Sequence, residues 1–547
     1  MARSVEDLVP SDTPDEVKQR LMEEPRGRVP VFDPTLRIAV DIPRNGSPEH
    51  RLVVIGDSLS HGFQSGAVFN TDISYPAIIA YELGWLDQFR YPRYPGFGGL
   101  PLNLEFLLRD LEQNVGPPFE LWDWRTYYRI HRFMDEVENY WERGPGQTAP
   151  DLASINHCLA VYGWDLRDAL ERTAASCEQA IERPSENAIA QLVENANYRA
   201  AMRVYPHWSD ETRRMTLFDA AAALGGEHDI STDCGIETLV VFLGSNNALQ
   251  AITKLEVDWS KDPDSNGRGG FQDLAAKNDY TVWQPKHFAE ELKEVVAAVE
   301  RIEARHVIWC TVPHVTIAPL ARGGPGKVTE GSRYYSYYTR PWVSDDDFRS
   351  WRDLHITDRH ARAVDCAIDM YNEKIQQVIE NARRGANGAG PRDWYLLDIA
   401  GLLDRLAARR YITDRLARPP WWIEYPLPST LAALDPSPDS QFLASDGRGG
   451  RASGGLFSID GVHPTTVNYG IVAQEIINIM QQAGVEFRHP NGTPRTGPVT
   501  VDFDRLLRRD TLVRQPPQNL DSGLGALGWL DETFGWVARA LNFSFGR

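Results

Sequence analysis

Four short stretches of the chain carry side chains suited to acyl transfer. Gly56-Asp57-Ser58-Leu59 sets a hydroxyl beside a carboxylate, and Leu159-Ala160-Val161-Tyr162-Gly163-Trp164-Asp165 places a glycine after an apolar run. Gly244-Ser245-Asn246-Asn247 offers side-chain amides, and Asp460-Gly461-Val462-His463-Pro464 pairs an acid with an imidazole. Together they supply a nucleophile, an acid–base pair, and both backbone and amide donors for an oxyanion, which is the inventory that acyl transfer needs. Asp460-x-x-His463 is the only Asp-x-x-His in the chain, so the acid–base pair is not chosen from many.

The elements that would position these groups are legible as hydrophobic runs. Residues 51–55 form a short β-branched run ending in Gly56, which predicts a buried strand leading into a sharp turn. Similar runs at 155–163, 238–247, 306–315 and 394–401 predict further strands. Helical spacing marks 164–182, 287–304, 360–384 and 467–484. Strands that are apolar throughout and alternate with helices indicate a parallel sheet covered on both faces. The expected fold is therefore α/β, a flavodoxin-like three-layer α/β/α sandwich with about five parallel strands. Strands of such a sheet end at a common edge where ligands bind, and three of the four stretches follow a predicted strand. The fourth precedes the closing helix.

The four stretches resemble, in order along the chain, the signature blocks of the GDSL or SGNH serine esterases and lipases. GDSLSHG is similar to the first block, LAVYGWD to the second, LGSNN to the third and DGVHPT to the last. The resemblance spans 56–464, and it implies roles by position. Ser58 is expected to attack an ester carbonyl, His463 to act as general base and then general acid, and Asp460 to orient the imidazole. The backbone N–H groups of Ser58 and Gly163 and the Asn246 amide are expected to hold the oxyanion. The implied reaction is hydrolysis of a carboxylic ester or thioester through an acyl-serine, with no cofactor and no metal. Two alternatives remain: an acyltransferase using the same site, and a non-catalytic binding protein on the same scaffold. One departure is visible, since many relatives read Gly-x-Asn-Asp where this chain has Asn247.

Each assignment has a plainer rival. Ser58 is a residue type that caps helices, although Asp57 competes for that place. His61 lies three residues after Ser58 and competes with His463 as base, but no acid stands ready to orient it. Asn246 and Asn247 suit a tight turn, and Gly163 suits a special backbone conformation.

The rest of the sequence bounds the partners. Its 547 residues carry a formal charge of −19, which disfavours nucleic acid or anionic lipid as partners by bulk charge. The expected partner is a small or lipid-like ester. No secretory signal or stretch long enough to span a membrane is seen, so a cytoplasmic protein is the expectation. Five scattered cysteines without a Cys-x-x-Cys pair suggest reduced thiols. Residues 1–50 read as an N-terminal extension and 51–485 as the hydrolase domain, interrupted at about 85–150, 255–283, 320–358 and 402–457. Residues 486–547 form a C-terminal extension in which Leu530, Phe534, Val537 and Leu541 recur at helical spacing. The aromatic insertions would either cap the site or thicken the body, and 261–270 and 445–455 read as flexible loops.

Overall fold

A computed structural model gives the architecture. It describes all residues except 1–7, 24–26, 117–122, 182–192, 389, 490 and most of 521–547, where 525, 528 and 531 are described. The predicted C-terminal amphipathic helix therefore lies outside the described residues.

The centre is a five-stranded sheet of β1 (His50–Gly56), β2 (Cys158–Ala160), β3 (Ile236–Phe242), β4 (Ala304–Cys310) and β5 (Trp394–Leu397). All neighbours pair in parallel, in the spatial order β2-β1-β3-β4-β5. One row of the sheet runs Cys158, Val54, Val240, Ile308, Tyr395, so the five predicted runs share one register. Leu52 to Ile55 are fully buried, as expected of strands covered on both faces.

Helices pack on this sheet in two groups. The first comprises α2 (Tyr75–Glu82) and α7 (Thr466–Gln482), which touch each other and the strands β1, β4 and β5. The second includes α4 (Pro285–Glu300) and α5 (Asp358–Arg384), which pack together, with α5 also against β5. The described part of the head wraps the body: helix Asp15–Glu23 lies on α5 with Val17 fully buried.

Three expectations are corrected. The run 394–401 is not one strand, because Asp398 accepts from the Gly401 N–H at 3.0 Å and starts helix α6 (Ile399–Leu406). The helix expected over 164–182 is broken into α3 (Leu166–Glu171) and Ala174–Ala180, since Thr173 and Ser176 form a capping box that begins a new helix. Residues 445–455 hold more structure than a free loop: Ala444–Ser445 pairs with Arg451–Ser453, and Asp446 accepts two backbone N–H bonds in the turn. The insertion at 320–358 builds its own antiparallel sheet from Arg322–Lys327, Tyr335–Thr339 and His355–Thr357. In the 85–150 insertion, helix Trp124–Glu142 buries Ile130, Phe133, Met134, Val137 and Trp141, so its inner face thickens the body. All five cysteines are buried and free. Among the described residues no helix is long and apolar enough to cross a membrane.

Candidate functional site

Because the strands are parallel, Gly56, Ala160, Phe242, Cys310 and Leu397 end at one edge of the sheet. The turn after β1 is forced by Gly56: a Cβ there would come 2.1 Å from Ser60 Oγ and 3.0 Å from the Phe242 carbonyl. That close return starts the short helix α1 (Ser58–His61). Its N-cap is Asp57, whose carboxylate accepts the Leu59 N–H at 3.0 Å, so capping does not account for Ser58. Burial pushes the Asp57 carboxyl up to about 6, against the pull of the Leu59 N–H, the His463 ring and the Ser245 hydroxyl.

Asp460 and His463 sit in a closed loop ahead of α7, and both are fully buried. The Phe457–Pro464 bridge shuts this loop, with Ser458 N–H donating to the His463 carbonyl at 2.8 Å. Asp460 Oδ1 accepts the N–H groups of Val462 and His463, each at 2.9 Å. Its Oδ2 lies 3.1 Å from His463 Nδ1 and accepts the Gly66 N–H at 2.9 Å. Burial alone would raise this carboxyl, but the His463 ring and the N–H donors outweigh it and hold Asp460 below the usual carboxylate range. An ionised Asp460 keeps a proton on His463 Nδ1 and leaves Nε2 as the free base position. That Nε2 is buried and has no hydrogen-bond partner.

Ser58 and His463 line the same cavity, of about 90 Å³. Its remaining wall is mostly apolar and includes Leu249, Val315, Leu402, Leu406, Val462 and Val472. Phe63 packs its ring 4.4 Å from the His463 imidazole, which restricts ring rotation.

Of the three expected oxyanion donors, Ser58 lines this cavity, whereas Gly163 and Asn246 do not line it but are brought to each other. Gly163 has φ +83°, a conformation that favours glycine, and Asn246 Nδ2 donates to the carbonyl of the next residue, Trp164, at 2.8 Å. One amide hydrogen of Asn246 is thereby used and one is left. Among the described residues the backbone N–H groups of Ser58 and Gly163 donate to nothing. Asp165 anchors the far side of this loop through a reciprocal capping box with Asp168. Asn247 is fully buried, and neither atom of its amide has a partner. An aspartate at that place would be an uncompensated buried charge, which explains why an amide is tolerated better there.

His61 is engaged at both ring nitrogens. Nδ1 accepts the Tyr162 N–H at 3.1 Å, so the proton lies on Nε2, which donates to the Tyr94 hydroxyl at 2.6 Å. Tyr94 passes the chain on to the Ala200 carbonyl at 3.0 Å. Burial drives the His61 ring down to about 3, so it is neutral and has no free basic nitrogen for Ser58. Its hydrogen bond instead holds the segment that carries Gly163.

Several participants escaped the sequence reading. Ser65 and Gly66, with φ +53° and +82°, form the two-residue turn between Phe63–Gln64 and Ala67–Val68. Their N–H groups go to Ser458 Oγ and Asp460 Oδ2, both at 2.9 Å, so this hairpin clamps the acid. The Ser-Gly pair was a turn signal in the sequence. His314 was missed too, although it follows β4 at the same edge. It lines the same cavity as Ser58 and His463, with Nε2 3.1 Å from Asp369 Oδ1 and Nδ1 3.2 Å from Asp404 Oδ2. Burial would lower its pKa, but Asp404, Asp369 and Asp365 together raise it to about 10.

Comparison of the chain with protein-family models, with curated proteins and with solved structures gave no match.

Proposed function

We propose that the chain is a serine ester hydrolase of the GDSL/SGNH kind, built on a flavodoxin-like α/β/α sandwich. The β2-β1-β3-β4-β5 order, 2-1-3-4-5 in sequence terms, supports that reading of the fold. One observation carries the functional reading. His463 has Nδ1 held by an ionised Asp460 and Nε2 unpartnered, on the wall of the apolar cavity that Ser58 also lines.

In this reading Ser58 Oγ attacks the carbonyl carbon of an ester whose acyl chain lies in the apolar cavity. His463 Nε2 accepts the hydroxyl proton as the C–O bond forms. The oxyanion is met by the N–H groups of Ser58 and Gly163 and the remaining Asn246 amide hydrogen. His463 then returns the proton to the leaving alcohol oxygen, and water repeats the sequence on the acyl-serine. Asp460 orients the ring and stabilises its cationic form. The apolar wall favours aliphatic acyl groups, each buried methylene contributing about 0.8 kcal/mol, or roughly fourfold in kcat/KM until the cavity is full.

The test is turnover of p-nitrophenyl esters from acetate upward by wild type, Ser58→Ala and His463→Ala. The expected result is a rate that rises with acyl length and then levels, and falls by a factor on the order of 10⁴ to 10⁶ in both variants. Undiminished turnover in folded Ser58→Ala would reject the assignment.

A further inference from the structure

A second cavity, of about 200 Å³, is built from the two insertions around 320–358 and 402–457. It shares a wall with the first. Val315, Ala318 and Leu406 face the Ser58 cavity, while Thr316, Ile317, Ala407 and Ala408 from the same two segments line this one. Its character is opposite. Four arginines, Arg322, Arg333, Arg409 and Arg410, line it, and no described Asp or Glu does. In a chain of net charge −19 such a concentration of cations is against the overall trend.

The positive charge is only partly met. Arg410 Nη2 lies 3.0 Å from Asp365 Oδ2, with Nη1 3.7 Å from Asp404 Oδ1, and Arg322 pairs with Asp345 at 2.6 Å. Arg409 makes no ion pair with a described residue; its Nη2 donates to the Gly323 carbonyl and its guanidinium lies 4.9 Å from the centre of the Tyr335 ring. Three buried guanidinium nitrogens have no hydrogen-bond partner: Nε of Arg322, Nε of Arg409 and Nη1 of Arg410. They come from three arginines around one cavity. Arg409 and Arg410 are consecutive on a π-helical turn, Ala408–Ile412, a distortion common at functional sites.

We infer that this cavity binds a phosphate group. A phosphate monoester brings a charge of about −1.5 to −2 and three strong acceptor oxygens, a group that four guanidinium side chains around one cavity can meet from several sides. Guanidinium forks suit phosphate geometry, whereas a single carboxylate supplies one charge and two oxygens. The inference does not depend on the esterase reading, because none of these arginines touches the Ser58 cavity.

The test is calorimetric titration of the full-length protein with inorganic phosphate, with glycerol 3-phosphate and with acetate, repeated on Arg409→Gln and Arg322→Gln. The structure predicts one saturable phosphate site per chain, binding at least tenfold weaker in Arg409→Gln, and no comparable acetate binding. Arg322→Gln, which gives up a pair with an exposed aspartate, serves if Arg409→Gln fails to fold, and is also expected to weaken phosphate. Tighter binding of glycerol 3-phosphate names a phosphorylated small molecule as the occupant, and equal affinity names the free ion; both support the inference. Absence of phosphate binding, acetate binding of equal strength, or unchanged affinity in both folded variants would overturn it.

Discussion

At the residue scale, His61 and His463 are separated by their hydrogen bonds and not by their distance along the chain from Ser58. Both ring nitrogens of His61 are occupied, while His463 keeps one basic nitrogen unpartnered. His61 is accordingly a positioning residue for the Tyr162–Gly163 segment. His61→Ala is expected to lower kcat by no more than the roughly 100- to 1000-fold associated with one oxyanion donor. The pH profile of the remaining activity should match wild type, because the base is untouched; a displaced profile would make His61 the base. Asn247 makes a second residue-scale case. Asn247→Asp restores the acid common in the resembled block, but it buries a charge without a partner. Chemical denaturation should show a loss of about 3 kcal/mol or more. Asp460 and His463 were legible as a pair because they lie three residues apart, and Ser58 because it follows an apolar run that ends in Gly56. The plain reading of His61 was legible only in part, since its partners Tyr94 and Tyr162 are 33 and 101 residues away in sequence.

At the scale of elements, the acid depends on a hairpin nearly four hundred residues earlier. The Gly66 N–H reaches Asp460 Oδ2, and a Cβ on Gly66 would come 2.7 Å from the Leu102 carbonyl in a backbone of φ +82°. Gly66→Ala is therefore expected to destabilise the protein by more than about 1 kcal/mol and to lower kcat with little change in KM. Unchanged kcat in a folded Gly66→Ala would show that the hairpin is scaffolding only. The strands of the sheet were legible because each is a continuous apolar run. The ends of elements were not, since caps decide them: Asp398 converted the tail of a predicted strand into a helix, and Thr173 divided a predicted helix.

At the scale of the whole molecule, the segments 320–358 and 402–457 form walls of the second cavity. Their contribution was illegible because the arginines of the second cavity lie in long, aperiodic segments, and the acids around His314 come from two helices, α5 and α6, that meet it only in the fold. The His314 cluster also sets a pH dependence. His314 has an ordinary pKa of 6.5 and one of about 10 in the fold, so the folded state binds more protons across that window. Its contribution to stability is complete below the lower value and is lost as pH rises towards 10. Nitrogen-15 histidine spectra should show the His314 ring still doubly protonated at pH 8, and denaturation midpoints should fall as pH rises from there. A neutral His314 at pH 8 would contradict this reading of the cluster. The central claim, that Ser58 is a nucleophile activated by His463, is tested most directly by fluorophosphonate labelling followed by peptide mass mapping. The account predicts a single adduct on Ser58 in wild type, none on Ser58 in folded Ser58→Ala or His463→Ala, and an adduct retained in His61→Ala. An adduct on another serine, or no adduct on folded wild-type protein, would contradict it.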